Sequence, residues 1–145
     1  MAIHPTAIIH EGAKLGTDCK IGPNCIIGPN VVLGDRVELV SHVVVDGKTS
    51  IGDDSIIYPF AVVGVMSQDL KWQDEATMTG VRIGKRCKIR EYATIHSGTP
   101  ASDGTVSGMM SIAPNMTILT DTEGIVIECE YIKDTTKVIQ KLADA

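Results

Sequence analysis

From Ile3 onward an aliphatic residue returns every six positions, at Ile3, Ile9, Leu15, Ile21, Ile27, Leu33, Leu39, Val45, Ile51, Ile57 and Val63. Neither the helical period of 3.6 nor simple strand alternation generates a strict six. Four residues after each of the first ten comes a second column, Ala7, Ala13, Cys19, Cys25, Val31, Val37, Val43, Thr49, Ser55 and Ala61, every member small or β-branched. Two inward positions per hexad leave room for a short strand and a corner. Three such units close a triangular coil of eighteen residues, and successive coils pair as parallel strands about 4.8 Å apart. The expected fold is therefore all-β, a parallel β-helix. Glycine often follows the large column, at Gly16, Gly22, Gly28, Gly34, Gly52 and Gly64, where it permits a positive φ or a close backbone approach.

Such a coil must be filled without bulky rings, and the chain is suited to that: 43% of residues are apolar but only 3% aromatic. Its 145 residues suffice for one domain. A net charge of −5 with no basic run provides no electrostatic footprint for nucleic acid or an anionic membrane. The opening "MAIHPTAIIHEG" lacks the features of a signal peptide, and no apolar run has the length of a membrane span. A soluble, cytoplasmic protein is expected.

The register breaks after Val63-Gly64 at "VMSQDLKWQDEATMTG" and resumes with Ile83, Ile89 and Ile95 in the large column and Cys87, Ala93 and Thr99 in the small one. Residues 65–80 thus read as a loop ejected from the coils, the usual place for binding residues on a rigid scaffold. Val106, Ile112 and Ile118 continue the spacing of six. "GIVIECEYI" reads as a last strand or two, and Val138, Ile139 and Leu142 predict a short amphipathic helix capping the solenoid end. The expected division is a β-helix over 1–123 and a C-terminal strand and capping helix over 124–145.

Cys19, Cys25 and Cys87 fall in the small column and lack a CxxC spacing, so they read as core residues rather than metal ligands; Cys129 lies outside the repeat. His4 and His10 sit near the N-terminal end. His42 and His96 precede or follow inward positions and should point outward. A zinc site on three histidines is disfavoured by their spread, and no metal is expected.

The stretches "IHPTAIIHEGAKLG", "IGPNCIIGP", "SHVVVDGKTSIG", "QDLKW" and "IREYATIHSGT" closely resemble the first half of the bacterial UDP-N-acetylglucosamine O-acyltransferases of lipid A synthesis, over about residues 3–99. The resemblance implies a left-handed coil, a cytoplasmic homotrimer with sites between subunits, and transfer of a hydroxyacyl chain from acyl carrier protein to the sugar 3-hydroxyl. It implies a histidine base and no cofactor. Gln68, Asp69 and Lys71 of the "QDLK" loop become candidate nucleotide-sugar contacts, and His96 of "TIHSGT" the candidate catalytic residue.

One departure matters. The family's later segment carrying the base histidine has no counterpart, for no histidine follows His96. A general base contributes about 10²- to 10⁴-fold. The alternative to a weak acyltransferase is a noncatalytic trimeric β-helix module that binds a nucleotide sugar or has a regulatory or structural role.

Overall fold

The computed structural model describes residues 1–66 and 79–98, together with the backbone of strands Met116–Asp121 and Gly124–Cys129. The chain folds as a left-handed parallel β-helix. One face of the triangular coil stacks β1 (Ala2–Ile3), β4 (Lys20–Ile21), β7 (Glu38–Leu39), β10 (Ile56–Ile57) and β13 (Lys88–Ile89). A second face stacks β2 (Ile8–Ile9), β5 (Ile26–Ile27), β8 (Val44–Val45), β11 (Val62–Val65) and β14 (Thr94–His96). The third carries β3 (Lys14–Leu15), β6 (Val32–Leu33), β9 (Thr49–Ile51) and β12 (Val81–Ile83).

Each strand aligns its large-column residue with the one a coil away: Ile3 with Ile21, Ile9 with Ile27, Leu15 with Leu33. The interior is consequently a stack of like on like. From Ile21 to Ile95 the large column is buried, as are Cys19, Cys25, Val31, Val37, Val43, Thr49, Ser55, Ala61, Cys87 and Ala93 of the small one. The first coil has a neighbour on one side only, which leaves Ile3 45% exposed and Ile9 and Leu15 half-buried. Thiols at Cys19 and Cys25 are free and buried, and burial pushes the Cys25 thiol up from its ordinary value, as expected of core residues. Cys87 is buried too, but it is disulfide-bonded.

The glycines after the large column serve close approach more than unusual φ. A Cβ on Gly22 would collide with the Val40 carbonyl, and one on Gly16 with the backbone at Gly34. Left-handed backbone is found instead two residues later, at Asp18, Asn24, Arg36, His42, Asp54, Phe60, Arg86 and Tyr92, always just before a small-column residue.

Thr49 pairs with Val81, thirty-two positions on, where an uninterrupted coil returns after eighteen. The fourteen-residue difference is the ejected segment, which leaves the second face after Val65 and rejoins the third at Val81. Toward the C-terminus the pattern changes. Strand β16 (Gly124–Cys129) extends the third face parallel to β12, but β15 (Met116–Asp121) runs antiparallel to β16, with Ile118 opposite Ile127. The six-residue spacing at Ile118 therefore does not mark a further coil. The expected helix, at 133–145, lies outside the described residues, as do Val106 and Ile112.

Candidate functional site

The ejected segment departs from the corner between the second and third faces, and the described residues on either side of it form the candidate site. One coil earlier the same corner is self-contained. There the Thr49 hydroxyl donates to the Asp46 carbonyl at 2.6 Å, and the Asp46 carboxylate accepts from the Gly47 amide at 2.8 Å. In the next coil Gly64, at φ +83°, admits no side chain: a Cβ would collide with Thr49 Oγ1 and the Asp46 carbonyl.

Here β11 and β14 slip register. Val63 faces Ile95, but Val65 faces His96, so a bulge lies at the chain's exit. The irregularity turns the His96 ring toward the loop's first residues, where Nδ1 donates to the Met66 carbonyl at 3.0 Å. A carbonyl can only accept, so the neutral ring carries its proton on Nδ1 and its basic lone pair on Nε2. His96, the sequence-predicted catalytic residue, is half-buried, with Nδ1 held on a backbone carbonyl. Beside it Ser97 is buried and anchored through its amide to the Val65 carbonyl at 2.8 Å. Gln68, Asp69 and Lys71 lie outside the described residues.

His42 is placed elsewhere. It occupies the corner between the first and second faces, in a column of stacked rings: His42 on Phe60 at 5.0 Å between centroids, and Phe60 on Tyr92 at 5.2 Å. The Asn24 side-chain amide donates to His42 Nε2 at 3.1 Å, extending the column by one coil. Nearby, Arg90 lies 4.1 Å above the Tyr58 ring. Sequence reasoning missed this column. Its signal was the eighteen-residue spacing of Asn24, His42 and Phe60, which reaches Tyr92 only when the ejected segment is discounted. His4 and His10 are exposed on the first coil. Among the described residues no three His, Cys, Asp or Glu side chains converge as a metal site, and no helix is long and apolar enough to cross a membrane.

Solved structures similar to this one include UDP-N-acetylglucosamine acyltransferases. The Acinetobacter baumannii enzyme LpxA is 47% identical with a TM-score of 0.64, the match covering 68% of this chain and 38% of that one. LpxA of Moraxella catarrhalis is 45% identical, with the same TM-score and coverage. The Francisella novicida enzyme is 40% identical with a TM-score of 0.66, covering 72% of this chain and 38% of that one. The chain thus spans less than two fifths of the length of these structures, and its likeness to them supports an acyltransferase-like fold. A family model of the hexapeptide-type fold matches residues 3–122, and by that match the chain belongs to the GMPPB C-terminal domain family.

Proposed function

We propose that this chain is an O-acyltransferase module that binds UDP-N-acetylglucosamine, or a nucleotide sugar like it, and acts in the cytoplasm as a homotrimer on the route to lipid A. The observation that carries the proposal is His96, an imidazole held by the Met66 carbonyl with its basic nitrogen at Nε2; Met66 stands shortly before Gln68, Asp69 and Lys71 in the sequence. The similar acyltransferases named above support the substrate and the acyl transfer.

In this mechanism Nε2 removes the proton of the sugar 3-hydroxyl as its oxygen attacks the thioester carbonyl of a hydroxyacyl carrier protein. The tetrahedral intermediate then expels the carrier thiolate, which takes the proton back from His96, leaving the ester and a free thiol. Asp69 and Gln68 supply hydrogen bonds to sugar hydroxyls, and Lys71 a compact positive charge for a phosphate or carbonyl oxygen. No metal or redox cofactor takes part.

The experiment is acyl transfer from hydroxyacyl carrier protein to UDP-N-acetylglucosamine, with calorimetric titration of the nucleotide sugar alongside. For His96→Ala, turnover is expected to fall about 10²- to 10⁴-fold, the usual contribution of a general base, with binding retained. Unchanged turnover would remove His96 from the mechanism. A second reading rests on the absence of any histidine beyond His96, and makes the chain a noncatalytic nucleotide-sugar-binding module. Binding that is weakened in Asp69→Ala, without turnover in the wild-type protein, would select it.

A further inference from the structure

Buried hydroxyls in this fold are normally satisfied by the coils themselves. Ser55, in the small column, donates to the Gly84 carbonyl at 3.1 Å and accepts from the Cys87 amide at 3.1 Å, and Thr49 bonds to the Asp46 carbonyl. Two hydroxyls among the described residues depart from this: Thr79 Oγ1 and Ser97 Oγ each expose less than 1 Å² and have no hydrogen-bond partner. Both belong to the corner from which the loop is ejected. Thr79 directly precedes Gly80 and β12, where the chain returns above the Lys48 carbonyl, and Ser97 follows His96 at the end of β14.

The position of Ser97 is unusual in a second way. It stands two residues after the large column, at the register that holds Pro5, Thr17, Pro23, Asp35, Asp53 and Lys85 in other coils, all exposed or half-buried. Only Ser97 of that register is buried among the described residues, at 3% exposure. A polar group placed inside where the fold elsewhere turns outward, and left without a partner, is rare in a folded protein, and a partner from outside the chain is one way to satisfy it.

We propose that Ser97 and Thr79 form a hydroxyl-recognition subsite beside His96, taking a sugar hydroxyl of the acceptor; the proposal rests on the nucleotide-sugar reading above. A sugar hydroxyl donates and accepts at once, as two serine-type hydroxyls require. Burying a phosphate in the same place would require a paired charge, whereas a neutral hydroxyl does not. Ser97 thereby sets specificity for the sugar, while His96 acts on the proton.

The test is calorimetric titration of the wild-type protein, Ser97→Ala and Thr79→Val with UDP-N-acetylglucosamine and with UDP alone, together with thermal unfolding of each. Loss of a neutral hydrogen bond predicts about three- to tenfold weaker binding of the nucleotide sugar in either variant and an unchanged affinity for UDP. Equal affinities for the nucleotide sugar, with Ser97→Ala melting higher than wild type, would overturn the proposal by showing the hydroxyl to be only an unsatisfied core group. A parallel loss for UDP and UDP-N-acetylglucosamine would also overturn it, since a sugar subsite cannot act on UDP. Wild-type protein that binds neither ligand would remove the nucleotide-sugar reading itself, and this subsite with it. Thr79→Val preserves shape, so the comparison survives if Ser97→Ala fails to fold.

Discussion

At the scale of single residues, most corners of the coil separate two demands that a single glycine meets together at Gly64. Close packing of one corner on the next excludes a Cβ at Gly22, which would strike the Val40 carbonyl. Positive φ is borne by ordinary side chains such as Asn24 and Arg86, held there because the next residue must point inward. Gly22→Ala is accordingly expected to destabilise the protein by about 1–3 kcal/mol, the usual cost of overpacking, as measured by urea unfolding. Ser55 tests a different term. Its hydroxyl is the partner of both the Cys87 amide and the Gly84 carbonyl, so Ser55→Ala strands two buried backbone groups. A loss of about 1–3 kcal/mol is expected in the same assay, and no change would show that those groups find partners elsewhere.

At the scale of elements, consecutive coils are joined along one corner by charge. Arg36 makes a paired hydrogen bond to Asp54, at 2.6 and 3.0 Å; the Asp53 carboxylate takes Lys85 at 2.7 Å and the Asp35 amide at 3.0 Å. The Lys85 contact, then the Asp35 amide, hold Asp53 below the usual carboxylate range, and Arg36 does the same for Asp54. Because the folded-state values are depressed, the stability these carboxylates contribute is present above the ordinary carboxylate value of roughly 3.9 and is lost as pH falls through the lower folded values. These groups are exposed or half-buried at the surface, so the effect is small and screened by salt. Asp53→Asn is expected to flatten the decline of stability below about pH 4 relative to wild type, followed by thermal unfolding across an acid series at low salt. An identical decline would assign acid sensitivity to other groups.

At the scale of the whole molecule, the three faces are not equivalent. The outward positions of the first face include Lys20, Glu38 and Lys88, and those of the third Lys14 and Arg82; those of the second are Ile8, Ile26, Val44, Val62 and Thr94. Ile8 is 53% and Ile26 37% exposed, and the Phe60 and Tyr92 rings lie along the adjoining corner, so one uncharged stripe runs the length of the described coils. Exposed stripes of this kind mark contacts between proteins. The proposed trimer would bury it, and Val44→Lys is expected to convert the assembly to folded monomer in analytical ultracentrifugation, while Lys88→Glu on the first face leaves it intact. The free end of the solenoid makes a separate expectation. Amides of the first coil, Ala2–Leu15, should exchange hydrogen faster than those of β7 and β8, which have a coil on both sides.

The sequence by itself determined the repeat, the coil of three hexads, the two inward columns and the ejected loop. Strand side chains alternate locally, so a column of six-spaced aliphatics states its own direction without reference to the rest of the chain. His96 was legible as an outward histidine for the same reason. What the tertiary structure decided depends on residues far apart in sequence. The bulge that brings His96 to the Met66 carbonyl arises between strands thirty residues apart, and Ser97 is buried at a register that is open in every other described coil. The ring column from Asn24 to Tyr92 forms because fourteen extra residues leave the coil without shifting its phase. At the C-terminal end Ile118 kept the six-residue spacing while its strand reversed direction, because spacing fixes which way a side chain points and only pairing fixes which way a strand runs.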